Sequence, residues 1–253
     1  MFKIKKKPSN ANARTSMLLV NNKHSQFDYS EVYRQIRTSI EFSNIGKKVN
    51  VVNITSSKPG EGKTTTAVNL ALIYATIYEK VLLIDCDLRK PQVHKYFRLT
   101  NKIGLSDLLL DYSKTGEFDE KIFRNVRHEI FKDKLTVLTS GSNVPNPTET
   151  LSTDAFKDLI AKVKDEYDMV IVDCSPIGAT SDAVPIGNTV DGTIFVVSSK
   201  QTPRKEAKNA LGTLKSSGCN IIGTVLTQSD VEQFGYYYYS CLLYTSPSPR
   251  DCS

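Results

Sequence analysis

Apolar positions along the chain alternate between short dense runs and longer amphipathic stretches. Residues 49–55, 81–85, 135–139, 169–173, 193–198 and 220–227 are rich in Val, Ile and Leu with little polar alternation, the pattern of strands buried on both faces. Between them, residues 63–78, 153–167 and 204–216 are long enough for helices and are bounded by Gly, Pro or Ser/Thr. Nearer the start, Tyr29, Val32, Tyr33, Ile36 and Ile40 fall on one helical stripe that Asp28 or Ser30 could cap. Strand and helix in alternation predict an α/β fold: a mainly parallel sheet, right-handed crossovers and helices on both faces. Ligands of such sheets gather at the carboxyl ends of the strands. Residues 101–134 are the least regular stretch, Pro145 and Pro147 mark a loop, and no internal repeat stands out.

Length and composition narrow the class. The 253 residues suit one large domain or two small ones, and 40% hydrophobic with 24% charged residues is ordinary globular usage, which excludes wholesale disorder and a collagen-like or disulfide scaffold. No apolar run approaches the roughly 20 residues of a membrane-spanning helix, and no apolar signal core follows the lysine-rich start. A cytoplasmic chain is expected. The net charge of +6 comes mostly from Lys3, Lys5, Lys6, Lys7 and Arg14, so basicity belongs to an arm (residues 1–27) rather than to the domain. Such an arm could touch anionic lipid or remain an untethered flexible segment, and no nucleic-acid partner is expected.

At the other end, residues 241–251 read CLLYTSPSPRD. This resembles the translation of a sequencing-library adapter, the alternative being a genuine Ser/Pro tail, and residues 241–253 are set aside as adapter-derived. Three other cysteines remain, Cys86, Cys174 and Cys219, without a CxxC pair or a nearby histidine, and they read as reduced, small, buried residues. His24, His94 and His128 form no cluster, so no transition-metal site is expected.

The strongest chemical signal is SKPGEGKTT, which follows the first apolar run and opens a helix, the context a phosphate-binding loop requires. Ser57, Lys58, Pro59, Gly60, Glu61, Gly62, Lys63, Thr64 and Thr65 would wrap a nucleotide. Gly60 and Gly62 let backbone N–H groups close on phosphate oxygens, Lys63 brings a point charge, and Thr64 offers its hydroxyl to Mg²⁺. The strict pattern has Gly where Ser57 stands. Acidic strand ends complete the set: Asp173 ends MVIVD, and Asp85 and Asp87 end VLLIDCD with Arg89 behind them. One acidic strand end is often only a helix cap, but three behind such a loop fit a magnesium nucleotide.

Together SKPGEGKTT, VLLIDCDLRKP and MVIVDCSPIG resemble the Walker A, Walker A′ and Walker B motifs of bacterial P-loop protein tyrosine kinases of capsular and exopolysaccharide synthesis. The resemblance runs from about Tyr29 to Tyr239, and the Asp-x-Asp-x-Arg segment is its most specific part. Glu31, Arg34 and Arg37 match the family's Glu-x-x-Arg-x-x-Arg helix, and Tyr236, Tyr237, Tyr238 and Tyr239 its tyrosine cluster. Two departures stand out. Lys58 sits where related partition and division-site ATPases carry a signature lysine, and Thr227 stands where many relatives have an asparagine near the base.

The resemblance implies a kinase domain over residues 28–230 with a tyrosine tail at 231–240, using ATP and Mg²⁺. Lys63, Asp85, Asp87 and Asp173 would be catalytic, Thr64, Asp85 and Asp173 would hold the metal, and Tyr236–Tyr239 would be phosphoacceptors. Asp85 is the first choice for the base and Asp87 the second. Glu31, Arg34 and Arg37 would join subunits into a ring, although at helical spacing they could be a solvated face. A transmembrane adaptor of the export system would activate the kinase at the inner face of the membrane, and other protein tyrosines would be further substrates. The runner-up is a nucleotide-switched positioning ATPase, which Lys58 and the basic arm favour. The tyrosine run could also be an aromatic end packed on the domain.

Overall fold

The computed structural model describes residues 29–43 and 48–229. The basic arm, the tyrosine tail, the adapter-like end and Asp28 therefore lie outside the described residues. Seven strands form one sheet: β1 (Val51–Ser56), β2 (Val81–Asp85), β3 (Arg124–His128), β4 (Lys132–Leu138), β5 (Met169–Asp173), β6 (Gly192–Ser198) and β7 (Ile221–Thr227), in the order β3-β4-β2-β5-β1-β6-β7. Every neighbouring pair is parallel except the β3–β4 hairpin. The six apolar runs became the six parallel strands. β1, β2 and β5 are buried along their full length, which is why their sequences show no alternation.

Their side chains still alternate between two cores. Val51, Leu82, Ile84, Val170 and Val172 face one, under α4 (Leu105–Thr115), α6 (Asp154–Glu166) and α8 (Arg204–Ser216). Val52, Ile54, Val81, Leu83 and Ile171 face the other, under α1 (Tyr29–Phe42) and α2 (Lys63–Ala75). On α1 the stripe buries Ile36 and Ile40 and half-buries Val32 and Tyr33. Ser30 lies inside the first turn. α6 starts where Thr153 accepts the Phe156 N–H, as its Ser/Thr boundary suggested.

Residues 101–134 hold more structure than their irregular sequence implied. The stripe Leu105, Leu108, Leu109 makes α4 amphipathic, and the Asp107 carboxylate closes its start by accepting the Gly104 N–H at 2.8 Å. β3 is an edge strand in which only Val126 is apolar and leans on the core, drawn into the sheet by its hairpin to β4. Pro147 opens a single turn, α5 (Pro147–Thr150), where its missing N–H costs nothing. Two further short helices, α3 (Val93–Phe97) and α7 (Ala183–Gly187), begin in the loops after β2 and β5. β2, β5 and β1 are adjacent, so their carboxyl-end loops meet at one edge of the sheet.

Candidate active site

Between β1 and α2 the chain turns through Gly60 (φ 86°) and Gly62 (φ 88°), left-handed conformations that glycine adopts without strain. Five further hydrogen bonds fix the turn. Glu61, fully buried, accepts the Ser57 hydroxyl at 2.8 Å and the Lys58 N–H at 2.7 Å, and the Thr202 hydroxyl also donates to it. Thr227 donates to the Glu61 carbonyl at 2.6 Å, and Gln228 to the Gly60 carbonyl at 2.9 Å. The loop after β5 comes so close that a Cβ on Gly178 would lie 2.3 Å from the Ser57 carbonyl oxygen. Thr227 thus acts here as a strut of the glycine loop. The sequence marked Glu61 only as one residue of the loop motif. Its anchoring role depends on Thr202 and Thr227, which are far away in the chain.

Three of the motif residues form one charged cluster. Lys63 Nζ donates to Asp87 Oδ2 at 2.8 Å and lies 3.6 Å from Asp173 Oδ1, while Thr64 donates to Asp173 Oδ2 at 2.7 Å. Burial alone would lower the lysine pKa, but Asp173 and Asp87 outweigh it and hold the ammonium above its ordinary range. Burial pushes the Asp173 carboxyl up, with Lys63 and Thr64 pulling against it. Asp173 Oδ1 is buried with no hydrogen-bond partner. An orphaned carboxylate oxygen beside a threonine hydroxyl fits a hard divalent cation, so Thr64 and Asp173 are suited to Mg²⁺.

Asp85 behaves differently from Asp87. Fully buried, Asp85 takes the N–H groups of Asp87 (3.2 Å), Gln92 (3.2 Å) and Val93 (3.0 Å), and burial with neighbouring Asp173 drives its pKa well up. Asp87 turns Oδ2 to Lys63 and takes the Lys90 N–H on Oδ1. A cavity of about 370 Å³ opens over the cluster, lined by Gly60, Lys63, Thr64, Asp87, Arg89 and Ser175 among others. Asp87 lines it and Asp85 does not.

Spacing had not revealed a second constellation. Arg89 donates Nε and Nη2 to Asp182 at 2.8 and 3.1 Å, and Ser175 donates to the same carboxylate at 2.9 Å. Thr148 donates to it as well. Asp182 lies 93 residues from Arg89 and in no motif, so only the fold brings it there.

The remaining motif residues are placed as follows. Ser57 and Glu61 brace the loop from inside, Pro59 and Thr65 line the cavity, and Thr65 shares a 2.8 Å hydrogen bond with Tyr96. Lys58 is paired with Glu206 of α8. Glu31 and Arg34 pair at 3.0 Å on the exposed face of α1, whereas Arg37 leans inward, 3.7 Å from Glu41. Cys86, Cys174 and Cys219 are free and buried. His94 sits on α3 and His128 on β3, and His24 lies outside the described residues. Tyr236–Tyr239 do too. No helix among the described residues is long and apolar enough to cross a membrane.

Known proteins share this frame. A family described as an AAA domain matches residues 49–184. Tyrosine-protein kinase YwqD of Bacillus subtilis (strain 168) is 44% identical over 211 residues, covering 82% of this chain and 86% of the relative. The solved kinase domain of Escherichia coli tyrosine kinase ETK superposes with TM-score 0.72 at 31% identity, over 84% of this chain and 81% of that one. A ParA family ATPase from Chlorobium tepidum TLS gives TM-score 0.59 at 18% identity, over 73% of this chain and 76% of its own, which is likeness of the P-loop fold alone.

Proposed function

The chain belongs to the bacterial tyrosine-protein kinases, and from that premise we propose that it transfers the γ-phosphoryl group of MgATP to tyrosine hydroxyls, first those of Tyr236–Tyr239, in the control of capsular or exopolysaccharide synthesis. The observation that carries this reading is the Lys63, Thr64, Asp87 and Asp173 cluster at the mouth of a glycine loop. Bound Mg²⁺, held by Thr64 and Asp173, would supply charge to offset that of the phosphates.

Phosphoryl transfer runs through a loose transition state, so positioning and charge matter more than a strong base. A tyrosine hydroxyl with pKa about 10 is about one-thousandth ionised at pH 7, a deficit of roughly 4 kcal/mol. A carboxylate that accepts the proton offsets part of it. Asp87 suits this task better than Asp85 because it lines the cavity and has one oxygen engaged only by Lys63. When Lys63 turns to phosphate oxygens, Asp87 Oδ2 is released toward the incoming hydroxyl. Asp85 instead shapes the loop, gathering the N–H groups at the start of α3.

A tyrosine tail reaches a neighbour's cavity most readily within an assembly, since tethering raises its local concentration. The exposed Glu31–Arg34 pair on α1 suits the contact of a ring, with Arg37 bracing it from within. A transmembrane adaptor would bring the kinase to the inner face of the membrane. The positioning-ATPase reading gains nothing from the structure, because Lys58 is engaged by Glu206 of its own chain and the partition ATPase is the more distant likeness.

The test is incubation of the purified chain with MgATP, with and without a cytoplasmic adaptor fragment, followed by phosphotyrosine immunoblotting. Signal that depends on Lys63 supports the kinase. ATP hydrolysis without phosphotyrosine under both conditions would overturn it.

A further inference from the structure

The Arg89–Asp182 fork is more elaborate than a surface ion pair. Asp182 has no exposed surface, and its carboxylate gathers Arg89 Nε and Nη2, Ser175 Oγ and Thr148 Oγ1. These donors come from the loop after β2, the loop after β5 and α5 after β4, so one carboxylate ties together three strand-end segments around the cavity. Asp182 also stands at the N-cap of α7 yet makes no side-chain cap bond. An aspartate there would ordinarily cap its own helix, but this one gives its oxygens to Arg89 and its neighbours instead.

Arg89 is held along one edge only. Its side chain is 41% exposed and lines the cavity beside Lys63 and Asp87, and Nη1 has no hydrogen-bond partner among the described residues. A guanidinium clamped through Nε and Nη2 and open at Nη1 is pre-oriented, and donors fixed in advance stabilise charge without reorganising. We propose that Arg89 is a catalytic donor to the transferring phosphoryl group, and that Asp182 is the positioning residue that holds its guanidinium for that contact. This rests on the phosphoryl-transfer reading above, not on which tyrosine accepts.

Asp182→Asn, Arg89→Ala, Arg89→Lys and the double variant Asp182→Asn/Arg89→Ala test it in the full chain. Three quantities are measured: kcat and KM for ATP in phosphotyrosine formation, affinity for MgADP, and affinity for MgADP with aluminium fluoride, a mimic of the phosphoryl group in flight. Loss of one oriented donor typically lowers kcat about 10²–10³-fold. Asp182→Asn and Arg89→Ala should each lose about that much kcat and a comparable factor in affinity for the fluoride complex. KM and MgADP affinity should stay within about threefold. Arg89→Lys should not restore activity, because it keeps the charge but loses the fork. The double variant should be no worse than Arg89→Ala, since both act through one group.

Normal kcat in Arg89→Ala, rescue by Lys, or multiplied losses in the double variant would each overturn the proposal. So would an Asp182→Asn loss matched by an equal loss of MgADP affinity, which marks a structural role. Should Asp182→Asn not fold, the two Arg89 variants still decide, since that side chain is partly in solvent. Absence of phosphotyrosine in the unmodified chain would defeat the kinase reading instead, and the fluoride arm would still report on Arg89.

Discussion

Replacing Lys63 by methionine removes the cation proposed to meet phosphate, and one that is buried between two carboxylates in the resting fold. The motif alone points this charge at phosphate and away from the core. In the structure the ammonium is buried between Asp87 at 2.8 Å and Asp173 at 3.6 Å, with side-chain exposures of 10%, 5% and 0% for the three. Breaking a buried pair by deleting one partner costs about 3–5 kcal/mol, because the other charge stays behind. At about 2–4 °C per kcal/mol for a domain of this size, Lys63→Met should lose roughly 6–20 °C of melting temperature near neutral pH. The deficit should depend on pH. Asp173 already has a pKa raised by burial, and losing the lysine raises it further. The folded variant then binds a proton that the unfolded chain releases, so its stability falls as pH rises. The gap to the unmodified protein should therefore narrow between pH 7.5 and pH 5.5. Thermal melts by circular dichroism across that range, with phosphotyrosine formation in parallel, read both effects, and activity should fall at least about 10²-fold. An unchanged melting temperature at pH 7.5, or a gap that widens on acidification, would refute the buried-pair argument. Retained activity would refute the P-loop assignment.

Three further outcomes follow from the same geometry. Asp87→Asn should lower kcat and, because Asp173 still faces the Lys63 ammonium, cost less melting temperature than Lys63→Met, whereas Asp85→Asn should chiefly destabilise, because its amide would face backbone N–H groups and leave one unpaired at about 1–3 kcal/mol; thermal melts and steady-state kinetics separate the two. Thr227→Val removes the hydroxyl that supports the Glu61 carbonyl and, at about 1 kcal/mol per lost hydrogen bond, should weaken MgADP binding about fivefold by calorimetry. Replacing Glu31, Arg34 and Arg37 together by Ala should convert an oligomer to a monomer that still binds nucleotide. Equal masses by light scattering before and after would reject the assembly role.

The parallel sheet was legible because buried parallel strands leave uninterrupted apolar runs, and the glycine turn that opens α2 because Gly60, Gly62 and Lys63 lie within four residues. Less local features were hidden. β3, Arg124–His128, carries no apolar pattern, since its place comes from hairpin pairing with β4. The short Leu105, Leu108, Leu109 stripe of α4 was available in the sequence but easily lost among irregular neighbours. Asp85 and Asp87 are two residues apart on one strand end, and spacing cannot show which turns into the loop and which into the cavity. The contacts of Asp182 and Glu61 join residues 93 and up to 166 positions apart, distances over which no periodicity speaks.

Phosphosite mapping by mass spectrometry tests the central claim most directly. The chain and a variant with Tyr236–Tyr239 all changed to Phe are incubated with MgATP and the adaptor fragment. Phenylalanine removes the hydroxyls and keeps the aromatic bulk, so packing is spared while the acceptor chemistry is lost. The kinase account predicts phosphate on Tyr236–Tyr239 in the unmodified chain, and loss of most phosphotyrosine in the variant with ATP binding through Lys63 and Thr64 unchanged. Phosphotyrosine undiminished in the variant, or absent from both proteins while ATP is hydrolysed, would contradict it.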